Sequence, residues 1–89
     1  MGLTYKQKFN KKYKQPLNKS NSLSDISRLT GYKRSGLQTI YNKGTGAFRT
    51  AGPSRPNQTV ESWSFSRVYA AVNRSSKAHK IDKIHLIKK

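Results

Sequence analysis

An imbalance of charge is the feature that most constrains how this chain can fold. Lysine and arginine account for 19 of its 89 residues against three acidic residues, which gives a formal net charge of +16 at pH 7. Only 33% of the residues are hydrophobic, so one small core is the most that the chain can build against this self-repulsion. We therefore expect a single small domain that docks onto a negatively charged partner. Nucleic acid, ribosomal RNA, an anionic membrane face and an acidic protein surface in a large assembly all fit the charge equally well.

Groups that carry out catalysis or bind metals are scarce. The carboxylates are Asp25, Glu61 and Asp82, and the first two are suited to the starts of helices, where a negative charge is favourable. His79 and His85 have no cysteine and few acids to complete a metal site. No run of about 20 apolar residues could span a membrane. We expect no enzyme, no metal, no cofactor, no small-molecule substrate and no membrane span.

The first 21 residues are predicted to form a basic N-terminal arm. They carry six lysines and no acid. A solvated, disordered tail is one interpretation, and an arm that becomes ordered on a partner is the other. Tyr5, Phe9 and Tyr13 are four apart, a spacing that would align them on one face of a helix. We assign them, together with Trp63, to a partner interface, because aromatic side chains are frequent binding anchors.

Residues 22–76 carry the signals of a small helical domain. Ser22 and Asp25 are spaced as a capping box, which predicts a short helix that ends at Gly31. A second helix is predicted over residues 33–43, because apolar residues share one face before Gly44.

The hairpin made by these two helices resembles a helix-turn-helix of the phage-repressor type. The shared positions are the apolar Ile26, the small Ser27 at the helix crossing, the turn residue Gly31, and Leu37 with Ile40 on the inner face. The resemblance implies that the second helix enters the major groove of DNA. The nucleic-acid or anion-binding residues would then lie on this helix and in the basic stretch after it: Lys33, Arg34, Ser35, Gln38, Lys43, Arg49 and Arg55. An αα-hairpin used only for packing produces the same pattern, and both interpretations remain open.

Beyond the hairpin, a Gly/Pro-rich basic loop anchored by Phe48 is predicted over residues 42–57. A third helix is predicted to begin at Thr59, with a core-facing stripe at Phe65, Val68, Tyr69 and Val72. Residues 77–89 are predicted to be a basic, extended C-terminal segment. The expected fold class is therefore mainly α: a small three-helix domain with a helix-turn-helix-like hairpin, a basic loop, and extended basic N- and C-terminal segments.

A second resemblance covers residues 22–86 and depends on an ordered series of motifs. These are the aromatic and glycine-rich stretch 41–48, Gly-Pro-Ser-Arg-Pro at 52–56, the tryptophan-led segment 63–72, and the Lys-Ala-x-Lys-x-Asp pattern at 77–82. The series is similar to a small basic domain of large double-stranded DNA viruses of algae and protists and of some phages. The resemblance implies a virus-encoded protein that is carried in the particle.

These features together predict a small basic structural protein of a virion. It would be a minor capsid or cementing protein that bridges capsid subunits, with or without contact to the genome. The expected location is the virion, after synthesis in the host cytoplasm or passage through the nucleus. The alternative is a DNA-binding protein that uses the helix-turn-helix at residues 22–43. Its partner would be DNA rather than capsid proteins. A ribosomal or RNA-binding role fits the composition but has no RNA-recognition motif behind it.

Overall fold

The computed structural model of the protein describes residues 2–51, 59–74 and 76–88. Helices account for most of them. In chain order these are α1 (Tyr5–Lys12), α2 (Leu23–Thr30), α3 (Arg34–Ala51), α4 (Val60–Val72), α5 (Lys77–Asp82) and a 3-10 turn at Lys83–His85. These ranges contain no β-strand, and Tyr32 and Lys88 form an isolated antiparallel bridge. The mainly α fold class is confirmed, as a small domain.

The core lies around α4, which packs against α1, α3 and α5, while α2 packs against α3. Among the described helices, none is long and apolar enough to cross a membrane. The α4 stripe is confirmed, because Val68, Tyr69 and Val72 are buried and Phe65 is partly buried against them. The other buried hydrophobic residues of the core cluster are Phe9, Leu23, Ile26, Tyr32, Leu37, Ile40 and Ala71.

The predicted start and end of α2 are both confirmed. The Ser22 hydroxyl accepts a hydrogen bond from the Asp25 backbone N–H, and the Asp25 carboxylate accepts one from the Ser22 backbone N–H, each at 3.1 Å. Gly31 ends the helix with a φ of 78°, a left-handed conformation that glycine adopts without strain. The Ser22 backbone N–H, followed by the Ser22 hydroxyl, holds the pKa of the Asp25 carboxyl below its ordinary value.

Helix α3 is longer than predicted, and the expectation that Gly44 stops it is wrong. The helix runs 18 residues to Ala51, so residues 42–51 of the predicted basic loop are helical. Gly44 is buried where α3 crosses α4, and a Cβ there would lie 2.9 Å from the Cα of Ser64. The hydroxyls of Thr45 and Ser64 are 2.8 Å apart at the same crossing. The glycine therefore permits close helix packing rather than ending the helix, and the remainder of the predicted loop, 52–57, lies outside the described residues.

The basic N-terminal arm contains α1 and packs onto the helical body. A capping box that the sequence analysis missed begins this helix, because Thr4 and Gln7 exchange hydrogen bonds of 3.1 Å. Phe9 is only 5% exposed, with its ring centroid 5.3 Å from that of Tyr69. The arm is therefore ordered by contacts within the chain.

A buried polar network fastens the segment after α1. The Asn10 side-chain amide donates to the carbonyl oxygens of Leu17 and Lys19, each at 2.9 Å, and Asn10 is 0% exposed. The Asn21 amide donates to Asn10 Oδ1 at 2.8 Å and to the Tyr69 hydroxyl at 3.2 Å. Each buried amide thus has a partner, which offsets the free energy lost on removing it from water.

The C-terminal segment begins with α5 rather than being extended throughout. The Ser76 hydroxyl caps the helix by accepting from the His79 backbone N–H at 3.0 Å. Arg67 on α4 then forms a two-bond ion pair with Asp82, which is 1% exposed, with both N–O distances 3.2 Å. This pair holds α5 against α4 and explains why the last acidic residue of the chain is buried.

Candidate nucleic-acid interface

The turn between α2 and α3 has three residues, 31–33, and is held from both sides. The Ser27 hydroxyl donates to the Tyr32 carbonyl oxygen at 2.6 Å, so this small residue supports the turn from within. From the other side, the Lys33 backbone N–H donates to the Ile87 carbonyl oxygen at 2.7 Å. Lys88 Nζ donates to the carbonyl oxygen of Thr30 at 2.9 Å. The C-terminal residues therefore fix the start of α3.

The positions predicted to face inward in this hairpin are buried. Ile26, Leu37 and Ile40 are each 0% exposed, and Ser27 is 3% exposed. Gly36 is buried as well, and a Cβ there would overlap the carbonyl oxygen of His85. One side of α3 is thus buried against the rest of the domain, and only the opposite side can contact a partner.

The opposite side of α3 carries polar and cationic side chains. Ser35, Asn42 and Arg49 are exposed and seven residues apart, so they share one face of the helix. At about 1.5 Å per residue this face extends roughly 21 Å from Ser35 to Arg49. Gln38 is half-buried, and its side-chain amide donates to Asn42 Oδ1 at 3.0 Å. Asn42 is a candidate site residue that the sequence analysis missed, although it lies within the helix predicted over residues 33–43, four residues after Gln38.

The cationic side chains predicted for this site are exposed and form no ion pair with a carboxylate among the described residues. Lys33, Arg34, Lys43 and Arg49 all lie on the surface, and the first turn of α3 contains no acidic residue. The ion pairs among the described residues are Arg28 with Asp25 and Arg67 with Asp82, so none of these four cations is neutralised there. Arg55, the last predicted residue, lies outside the described ranges. The structure thus brings six of the seven residues predicted to bind nucleic acid or anions onto α3 and the turn before it.

The aromatic residues predicted for a partner interface fall into two places. Tyr5 is 40% exposed, whereas Phe9, also assigned to a partner interface, is 5% exposed and packs in the hydrophobic core. Tyr13 is half-buried, its ring centroid 4.8 Å from that of Phe9, and this burial raises the pKa of its hydroxyl. Trp63 is half-buried elsewhere, in a T-shaped arrangement with Phe48 at a centroid distance of 6.3 Å.

The histidine and carboxylate side chains form no metal-binding cluster in the part of the chain that the structure describes. No group of three His, Cys, Asp or Glu side chains there could hold a metal ion. Both histidines are half-buried rather than solvated, and His79 Nδ1 lies 2.9 Å from the Ala71 carbonyl oxygen. Of the three carboxylates, Asp25 and Asp82 have structural partners, and Glu61 is exposed in the first turn of α4.

Comparisons with known proteins place the chain in a family without a described function. No curated protein and no solved structure gives a significant match. A family model described as a family of unknown function, DUF5824, matches residues 3–85. This range includes α1 and α5 together with the helical hairpin, so the match extends over all the elements described above. The chain therefore belongs to the DUF5824 family.

Proposed function

We propose that this domain binds double-stranded DNA through the exposed face of α3. The observation that carries the proposal is a helix face with hydrogen-bonding and cationic side chains and no carboxylate, presented directly after a three-residue turn. A helix fits the major groove, where base edges offer a pattern of donors and acceptors that side chains can read. The net charge of +16 supplies the electrostatic attraction to phosphates that such binding requires.

The side chains on this face divide into two roles. Asn42 and Gln38 have amide groups, which pair well with adenine, and Arg49 has the guanidinium that pairs with guanine. Lys33, Arg34 and the other flanking cations suit phosphates, which set affinity and register without reading sequence. The hydrogen bond of 3.0 Å between Gln38 and Asn42 orients both amides before DNA arrives, and this reduces the conformational entropy lost on binding.

Fluorescence anisotropy with labelled duplex DNA over a series of salt concentrations tests the proposal. Affinity should fall steeply with salt, and Lys43→Ala should lower the slope of log K against log [salt] by about 1 because one phosphate contact is lost. Lys80→Ala is the matched control, since Lys80 is equally exposed but lies on α5. Equal effects of the two substitutions would show that α3 has no special role and that the whole surface binds DNA as a diffuse cation.

A second candidate function is a structural role in a virus particle, as the sequence resemblance implies. The observation that favours it is a strip of exposed isoleucines at the C-terminal end: Ile81, Ile84 and Ile87 are 67%, 76% and 53% exposed. The same segment carries exposed lysines, Lys77 and Lys80 among them. An acidic capsid surface with an apolar centre would complement this combination.

Particle fractionation separates the two functions. In nuclease-treated, salt-stripped particles, a minor capsid protein stays with the shell at fixed stoichiometry, and a DNA-binding protein leaves with the genome. If the strip makes the capsid contact, Ile84→Glu should release the protein from the shell, whereas Lys11→Glu on α1 should not. Absence of the protein from purified particles would contradict the structural role.

A further inference from the structure

A cleft of about 330 Å³ lies between α1 and the C-terminal end of α4. Its apolar lining is mainly aromatic, with Tyr5, Phe9 and Tyr13 on one side and Tyr69 on the other. Phe9 and Tyr69 are 5% and 2% exposed and form the floor, whereas Tyr5 is 40% exposed and stands at the rim. The ring surface that a ligand can reach is therefore mainly that of Tyr5 and of the half-buried Tyr13.

Cations surround this aromatic floor. Lys8, Lys12 and Arg74 line the cleft, and all three are exposed. Lys8 Nζ lies 5.2 Å from the centroid of the Tyr5 ring, and Lys12 Nζ lies 5.6 Å from that of Tyr13. The lining residues include no Asp or Glu. A ligand that fits must therefore combine a flat aromatic group with negative charge.

We propose that the cleft binds an unpaired nucleotide, with its base against the aromatic side chains and its phosphate at the lysines and Arg74. Bases stack on aromatic side chains whatever their sequence, and cationic side chains hold phosphates through charge-assisted hydrogen bonds. An acidic peptide would satisfy the cations but leave the rings uncovered, and an apolar ligand would do the reverse. The volume lies near the lower end of the range for small-molecule sites, about 300–1,000 Å³, which suits one nucleotide rather than several.

This site is distinct from the duplex-binding face, because none of its lining residues belongs to α3. A base in a duplex is stacked between its neighbours and cannot enter such a cleft unless it is flipped out. The ligand is thus either a free nucleotide or an unpaired residue of a single strand, and both present the same base and phosphate. The domain would then recognise nucleic acid in two ways, as a duplex at α3 and as an unpaired nucleotide at this cleft.

Substitutions at Tyr5 test the stacking. Affinity for a labelled oligothymidylate single strand is measured by anisotropy at fixed ionic strength, with a hairpin duplex as the comparison. Tyr5→Leu removes the ring but keeps apolar bulk at an exposed position, and should weaken single-strand binding roughly fivefold or more. Tyr5→Phe keeps the ring and should retain the affinity. Neither substitution should change duplex binding, and unchanged far-UV circular dichroism verifies that each variant is folded.

Neighbouring lysines test the phosphate contact. Lys11 and Lys12 are both exposed in the last turn of α1, but only Lys12 lines the cleft. Lys12→Gln should weaken single-strand binding more than Lys11→Gln, although both remove one charge. Wild-type single-strand affinity in Tyr5→Leu, or equal effects of the two lysine substitutions, would overturn the proposal. Gln38→Ala should weaken duplex binding alone, so failure of one proposed site is distinguishable from failure of the other.

Nuclear magnetic resonance titrations identify the source of the nucleotide. If adenosine monophosphate alone shifts the resonances of Tyr5 and Tyr13 to saturation, the cleft accepts a free nucleotide. If only the oligothymidylate shifts them, the cleft requires an unpaired residue within a strand. Both results support the site, and the absence of a shift with either probe contradicts it.

Discussion

Substitution by alanine should have different effects on the free energy of unfolding at two glycines of α3, Gly44 and Gly46. Gly44 is buried at the crossing with α4, and a Cβ there would lie 2.9 Å from the Cα of Ser64. Gly46 is exposed, and a Cβ there would meet no atom within 4 Å. Alanine is favoured over glycine within a helix by about 1 kcal/mol. This gain in helix propensity applies at both positions if α3 continues to Ala51. The difference in stability between the two variants therefore measures the effect of packing at Gly44 alone.

The magnitude follows from the distance at the crossing. Carbon atoms pack best at about 3.5–4.0 Å. The added Cβ of Gly44→Ala therefore forces the backbones of α3 and α4 apart by roughly half an ångström or more. Overpacking of this kind typically costs about 1–3 kcal/mol. We therefore expect Gly46→Ala to raise the free energy of unfolding by about 1 kcal/mol, and Gly44→Ala to lie about 1–3 kcal/mol below it.

Urea unfolding followed by far-UV circular dichroism measures this difference, and thermal unfolding should show a gap of at least about 4 °C in a domain of this size. The double variant should equal the sum of the single ones, since one substitution acts on packing and the other on helix propensity alone. If Gly44→Ala were as stable as Gly46→Ala, α3 would not contact α4 at this point. Near-zero effects at both positions would indicate that the helix ends at Gly44 after all.

Three further predictions concern polar groups. Arg67→Leu should lower the free energy of unfolding by about 3–5 kcal/mol, because it leaves the buried Asp82 carboxylate without a partner. Asp82→Asn should lower it less, because Arg67 can reach solvent. Urea unfolding in which Asp82→Asn is the less stable variant would refute this explanation of how α5 is held. The pKa of the Asp25 carboxyl should lie below its ordinary value. The ionised carboxyl therefore stabilises the fold above its unfolded pKa, and this stabilisation is lost as pH falls through the folded pKa. A pH titration of the carboxyl carbon resonance should show a higher midpoint in Ser22→Ala. Asn10→Leu should destabilise the fold by at least about 2 kcal/mol, because two backbone carbonyls lose their donor; unchanged thermal stability would mean that water replaces the amide.

Local capping signals made part of the fold predictable. The reciprocal hydrogen bonds of Ser22 and Asp25, the left-handed Gly31 and the cap at Thr59 are contacts within a few residues, and each was predicted correctly. The equivalent signal at Thr4 and Gln7 was present but was obscured by the lysine-rich composition around it.

The errors arose where distant contacts decide the structure. A glycine ends many helices, but Gly44 is needed because α4 crosses there, and the sequence does not show that crossing. Similarly, α5 is held against α4 by Asp82, whose partner Arg67 is 15 residues away. The candidate site was affected in the same way, since Arg49 shares a helix face with Ser35 and Asn42 only because α3 continues past Gly44.

The measurement that tests the central claim most directly is a titration of isotope-labelled protein with duplex DNA, followed through its backbone amide resonances. If α3 binds the major groove, the largest shifts should occur from Lys33 to Arg49, on the face that contains Ser35 and Asn42. The amides of α1 and α5 should move little. Shifts concentrated on α1 or α5, with α3 unchanged, would contradict the account.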